Sequence, residues 1–174
     1  MEVINMMNSF RIAQIAAISI LIGCEAPAQK QTYPEHVGDI AYNPSLDRAG
    51  FKLCNENFVP QAYQVGTGYK GECRALIDYF KNRYSFQNSF RGKSGYITIR
   101  FVINCKGETD RFRIFQIDEN FKKMEFHPSL TGQFLELLKE LKEWIPGKYQ
   151  GAACDSYDQL IFKIEDGRLK EVTF

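Results

Sequence analysis

Metal-ligating and redox chemistry have little to work with in this chain. It holds two histidines, His36 and His127, neither near a cysteine in sequence, and no Cys-x-x-Cys pair. Zinc-type spacing and dithiol spacing are therefore both missing, and no metal or cofactor is expected. An excess of one charge is missing too. Lys plus Arg number 22 against 21 Asp plus Glu, a net charge of +1, so no long-range field draws the chain to nucleic acid or to an anionic membrane surface. Nor is there an apolar run of spanning length. The greasiest stretch, Ile12 to Ile22, is about half of the roughly 20 residues that a bilayer requires.

That short run ends in Leu21-Ile22-Gly23-Cys24, which reads as a lipobox. A signal of this kind needs a positive residue, a short apolar core and a small residue before the cut. Arg11 and Gly23 supply the first and last. Glu2 sits oddly in a region that should be basic, and Met6 and Met7 are later starts that drop it. The reading predicts a signal peptide over 1–23 and a lipid on Cys24, leaving about 150 residues, one domain's worth. An ordinary secretory signal or a buried apolar segment is the plainer alternative. Over 24–46, Pro27, Pro34 and Pro44 stand among polar residues without a sustained period, as in a tether. Fully extended it reaches at most about 70 Å, too short for a rod across a periplasm.

The domain is expected over 47–174. Phe51-Lys52-Leu53-Cys54 alternates like a short strand. Cys73, Leu76, Ile77, Phe80 and Tyr84 predict a helix over 70–84 with Cys73 facing inward. Ile97, Ile99, Phe101 and Ile103 alternate with Tyr96, Thr98, Arg100 and Val102, the pattern of a central strand with one wholly apolar face. Lys106-Gly107 turns it into a second run, Arg111 to Ile117, with Phe112 and Ile114 on one face and Phe115 and Ile117 on the other. Pro128 opens a helix whose stripe, Leu130, Phe134, Leu137, Leu138, Leu141, Trp144 and Ile145, is expected to run until Pro146-Gly147 ends it. Leu160, Phe162 and Ile164 mark a further strand, and Asp166-Gly167 sends Arg168 to Phe174 back beside it. The 14 Phe and 9 Tyr fill a core that a small sheet does not close with aliphatic residues alone.

The run Gly95-Tyr96-Ile97-Thr98-Ile99-Arg100-Phe101-Val102-Ile103-Asn104 with Gly107 in the turn, then a Leu-rich helix, Lys142-Glu143-Trp144-Ile145-Pro146-Gly147-Lys148 and a strand from Tyr157 to Phe162, resembles the C-terminal domain of TonB-type proteins. The resemblance covers about 70–165. It implies an α+β fold of the split β-α-β kind, a small antiparallel sheet of about four strands with helices on one face. It also implies a domain that binds a partner protein through a sheet edge and performs no catalysis. Three features depart from the family: a lipobox in place of a retained membrane helix, no long Pro-rich spacer, and a strand after Asp166-Gly167. The first two argue against an energy transducer. The third adds a strand along the edge that the family offers its receptor.

In that split arrangement Tyr157 to Ile164 runs antiparallel to the central strand, so the start of one lies beside the end of the other. A disulfide is then expected between Cys105 and Cys154, leaving Cys54 to pair with Cys73, four cysteines being an even set outside the cytosol. The outer strands are the free backbone ladders, and the partner is expected on the edge formed by Arg168, Leu169, Lys170, Glu171, Val172, Thr173 and Phe174.

Other groups invite chemistry. Asp155 with Asp158, Asp118-Glu119 and Glu165-Asp166 are carboxylate pairs that a hydrolase could divide into acid and base, although Asp at strand ends more often caps the backbone. Arg100, Arg111 and Arg113 form a cationic patch or a solvated sheet face. Trp144 reads as a core anchor. The expected function is that of a non-catalytic envelope lipoprotein facing the periplasm, on the outer membrane rather than the inner, held by its lipid and binding another envelope protein. The rivals are an envelope hydrolase or thiol enzyme using His127 with a Cys or carboxylate, and a TonB-type transducer of outer-membrane transport. Metabolic labelling with a fatty acid should mark the wild-type chain and not Cys24→Ala; label retained by that variant, with normal processing, refutes the lipobox.

Overall fold

The computed structural model describes residues 38–174; the expected signal peptide over 1–23, the expected lipid site Cys24 and the first part of the expected tether lie outside the described residues. The chain forms helix α1 (Ala62–Val65), strand β1 (Gly68–Tyr69), helix α2 (Glu72–Arg83), strands β2 (Gly95–Ile103) and β3 (Thr109–Asp118), and helix α3 (Pro128–Glu140). Strands β4 (Trp144–Ile145), β5 (Gly147–Tyr149), β6 (Ala152–Cys154), β7 (Ser156–Glu165) and β8 (Arg168–Thr173) complete it. The main sheet is antiparallel with order β3-β2-β7-β8, the order expected from the split arrangement that the resemblance implies together with the Asp166-Gly167 turn.

Strand β2 governs the core because its side chains alternate so cleanly. Ile97, Ile99, Phe101 and Ile103 are 0% exposed, and they meet Leu160, Phe162 and Ile164 of β7 on the same face. Both long helices lie over that face, α2 through Leu76 and Phe80, α3 through Leu130, Phe134 and Leu138. The Phe162 ring stacks on Phe134 at 4.3 Å between centroids and takes Phe80 edge-on at 4.8 Å, geometries that reward aromatic over aliphatic filling. In the β7–β8 hairpin, Asp166 and Gly167 both have positive φ, 47° and 73°, as a two-residue turn of the favoured twist requires. Position 167 needs glycine twice over, since a Cβ there would lie 2.3 Å from Phe90 O.

Four expectations are corrected. Helix α3 stops at Glu140, with Leu141 already extended (ψ 126°), instead of running to Pro146. Ile145 precedes a proline and so disfavours helix, and Trp144 does better in β4, paired with Tyr69 of β1 and edge-on to the Tyr69 and Phe101 rings at 5.1 and 5.2 Å. Phe51 to Cys54 is not a strand; Phe51 instead packs with Ile40, Val102 and Tyr157 in a small second core on the far face of the sheet. The described end of the expected tether, residues 38–46, belongs to the fold. Ile40 is buried in that second core, and Arg113 of β3 donates to Ala41 O at 2.7 Å and grips both carboxylate oxygens of buried Asp47 at 2.7 and 2.8 Å. This pairing holds the Asp47 carboxyl below the usual carboxylate range.

The fourth concerns the disulfide. The bond joins Cys54 to Cys105, with Cα atoms 6.1 Å apart, and leaves Cys73 and Cys154 as free thiols. The strand register was anticipated correctly, for Ile103 faces Ser156. Beyond that pair, however, Cys154 has turned into the β5–β6 hairpin opposite Gly147. Between the two, Asp155 accepts backbone N–H bonds from Cys54 at 2.7 Å, Asn55 at 2.8 Å and Cys105 at 2.8 Å. One buried carboxylate therefore brings the N-terminal loop to the β2–β3 turn, where the sulfurs meet. Asp155→Ala should remove three charge-assisted N–H bonds and cost about 2 kcal/mol or more, read as a lowered urea midpoint at unchanged m-value. A midpoint within error of wild type would show that the clamp is dispensable.

Candidate functional site

The expected sites disperse on folding. Asp118 caps its own turn, accepting N–H bonds from Asn120 and Lys122 at 2.8 Å each. Asp166 accepts from Gly92 N at 2.8 Å, and Glu165 is shared by Lys163 and Lys170. Arg111 donates to Ile40 O and Arg113 grips Asp47, so two of the three arginines staple the N-terminal segment to the sheet. His127 is exposed, accepts from Ser129 N at the start of α3, and has Phe90 as its ring neighbour at 5.6 Å. No cysteine or carboxylate activates it there. Burial and the Asp155 charge push the Cys154 thiol up, which keeps it protonated and a poor nucleophile. The Cys54 and Cys105 sulfurs and the Asp155 carboxylate fall within 4.8 Å of one another, as metal ligands do, but the sulfurs are bonded to each other and Asp155 is spent on three amides.

One place gathers reactive and apolar groups together. A cavity of about 970 Å³ opens at the end of the sheet where β7 begins and β8 stops. Its walls come from the α1–β1 segment, the first turn of α2, β4 and β7, with Tyr69, Leu76 and Trp144 supplying apolar surface and Asp158 a carboxylate. Phe174, 44% exposed, stands at its rim, so the last of the expected edge residues adjoins it. Cys73 also lines it and is exposed. It does not face inward as expected, because it lies in the first turn of α2, ahead of the stripe that Leu76 and Phe80 press on the core. The indole N–H of Trp144 is buried and finds no acceptor among the described residues.

Asp158 lies near the start of β7, where the strand from Tyr157 put it, opposite Phe101 and on the same face as Leu160 and Phe162. Its phase with those apolar residues was the available signal. Burial pushes its carboxyl up to about 6, and the opposing influence is the N–H of Gln159, which donates to Oδ1 at 2.8 Å. No cation partners it among the described residues. A carboxyl raised from 3.8 to about 6 represents about 3 kcal/mol of stability present below pH 4 and lost as pH rises through 6, because the native state binds the proton more tightly than the unfolded chain. A displaced carboxyl in the wall of a cavity is a candidate functional group.

Asp158→Asn keeps the acceptor for Gln159 and removes the charge. It should be more stable than wild type by up to about 3 kcal/mol at pH 8, with the gap closing as pH falls from 6 to 4. Paired thermal melts across that range check it; a gap independent of pH, or of opposite sign at pH 8, contradicts the burial of a charged carboxylate.

Comparison with protein-family models, with curated proteins and with solved structures finds no match to this chain, so what the cavity and its edge do has to be read from their own residues.

Proposed function

We propose that this protein is a non-catalytic lipoprotein of the cell envelope, anchored through Cys24, whose TonB C-terminal-like domain binds another envelope protein along strand β8. The single observation that carries the reading is the place of β8: it is the last strand of the sheet, pairs with β7 on one side, and runs directly to the open cavity at Phe174. An outer strand carries unpaired backbone groups that accept an extended segment, and a neighbouring apolar cavity lends the specificity that a bare ladder lacks. The other outer strand is less available over its far half, since Met124 N bonds Gln116 O and Ile117 pairs with Lys123. On β8, Arg168, Lys170, Glu171 and Thr173 are exposed; the charged ones discourage self-pairing without blocking a matched segment.

Truncating 168–174 would be a poor test, because Val172 is part of the main core. Photo-cross-linkers placed singly at Thr173 and Phe174 in intact envelopes should trap a partner, while one at Lys139 on the outer surface of α3 should not. Equal trapping at all three positions, or trapping at Lys139 alone, moves the interface off the edge.

A further inference from the structure

The Cys54–Cys105 bond closes over an arrangement that does not depend on it. Asp155 takes the Cys54 and Asn55 N–H groups on Oδ2 and the Cys105 N–H on Oδ1, and the Asn104 side-chain amide donates to Lys52 O at 3.1 Å. Phe51, a few residues earlier, is fixed in the second core. Two segments 51 residues apart in sequence are thus held side by side by hydrogen bonds and packing alone, so breaking the S–S bond leaves both sulfurs next to a buried carboxylate. Their Sγ atoms and a carboxylate oxygen lie within 4.8 Å of one another. Cysteine spacing gave no sign of this, because only the fold joins the loop that carries Cys54 to the turn that carries Cys105.

We propose that Cys54, Cys105 and Asp155 form a redox-gated zinc site, closed to metal while the disulfide stands and opened when a dithiol reduces it. The reductant's thiolate attacks the exposed Cys54 Sγ, and the electron pair of the broken bond leaves on Cys105. The second thiol of the reductant then resolves the mixed disulfide, so that the reductant departs oxidised and two thiols remain. Each gives a proton to solvent as Zn2+ binds. Asp155 Oδ1 supplies the third ligand, since a carboxylate oxygen has two lone pairs and the Cys105 N–H takes one. Two thiolates, one carboxylate oxygen and a solvent molecule complete the tetrahedron of a zinc site with an open position, and soft thiolates select zinc over magnesium or calcium. The sulfurs then stand about 3.8 Å apart, the edge of a tetrahedron with bonds of about 2.3 Å, a separation that side-chain rotation supplies with the Cα atoms held at 6.1 Å. The three amides become the outer contacts that orient the liganding carboxylate. Charge favours the exchange: the disulfide beside one carboxylate and the zinc-loaded triad both carry a single net negative charge, whereas two bare thiolates beside Asp155 repel it.

The test uses the full chain carrying Cys24→Ser, Cys73→Ser and Cys154→Ser, so that Cys54 and Cys105 are its only thiols once a phosphine has reduced them. Titration with Co2+ should give a sulfur-to-cobalt charge-transfer absorption that saturates at one ion per chain and is displaced by Zn2+. The oxidised chain should give none. Cys54→Ser in the same background should abolish the absorption, and Asp155→Asn should weaken binding about tenfold or more. If Asp155→Asn fails to fold, the carbon-13 signal of the Asp155 carboxyl in the parent chain reads the same contact, and it should shift on addition of Zn2+ to the reduced form alone. No absorption at millimolar Co2+, equal absorption in the oxidised chain, binding unchanged in a folded Asp155→Asn chain, an Asp155 carboxyl signal that Zn2+ leaves in place, or one ion shared by two chains overturns the site. Cross-linking at Thr173 stands or falls independently of each result, so failure of the zinc site is distinguishable from failure of the edge.

Discussion

The carboxylate of Asp155 holds three chain segments in register at once. It is buried, it accepts three backbone N–H bonds, and its partners come from residues 54, 55 and 105. A charged acceptor of this kind is tolerated inside a fold when its lone pairs are filled, and it is costly to lose because three charge-assisted bonds go with it. The start of β7, the β2–β3 turn and the N-terminal loop are thereby fixed to one point. The Cys54–Cys105 bond closes over the same point. A disulfide spanning 51 residues restricts the unfolded chain by about 4 kcal/mol on the loop-entropy account, and the carboxylate is what makes the native geometry available to it.

The site follows from that anchoring. With Asp155 fixed, β7 leaves the clamp with Tyr157 already captured by Pro60, whereas β8, turned back by Asp166-Gly167, runs out at Thr173. Asp158 lies between these ends, in an apolar phase of the strand with Leu160 and Phe162. Its presence weakens the fold above pH 6, and cost without structural return is the mark of a residue kept for what it binds. His127, by contrast, is accounted for by capping α3, and Asp118 and Asp166 by their turns.

Long-period patterns were legible in the sequence because burial on one face imposes them. The alternation of Ile97, Ile99, Phe101 and Ile103, the Leu130–Leu138 stripe and the Asp-Gly turn specified element type and face, and the order of the four main strands needed in addition the split arrangement that the resemblance implied. Short pairings were not legible. Strands β1 and β4 hold two residues each, too few for any period, yet they end α3 early and place Trp144 in the cavity wall. The disulfide misled for a different reason: the β2–β7 register implied Cys105 beside Cys154, but a side chain, Asp155, sets which loop arrives there. The N-terminal segment was taken for tether because its hold on the sheet is one buried side chain, Ile40, and a few arginine contacts, too sparse for any period. Asp158 was readable as a charge out of place in β7, two residues before Leu160.

The central claim is that β7 carries a half-buried carboxylate, without a counter-charge among the described residues, in the wall of the cavity at the sheet edge. Carbon-13 NMR of the side-chain carboxyls, followed through a pH titration of the native protein, reads it directly. The Asp158 resonance should titrate with a midpoint near 6, whereas a midpoint near 4 would place Asp158 in solvent or beside a cation and contradict the account.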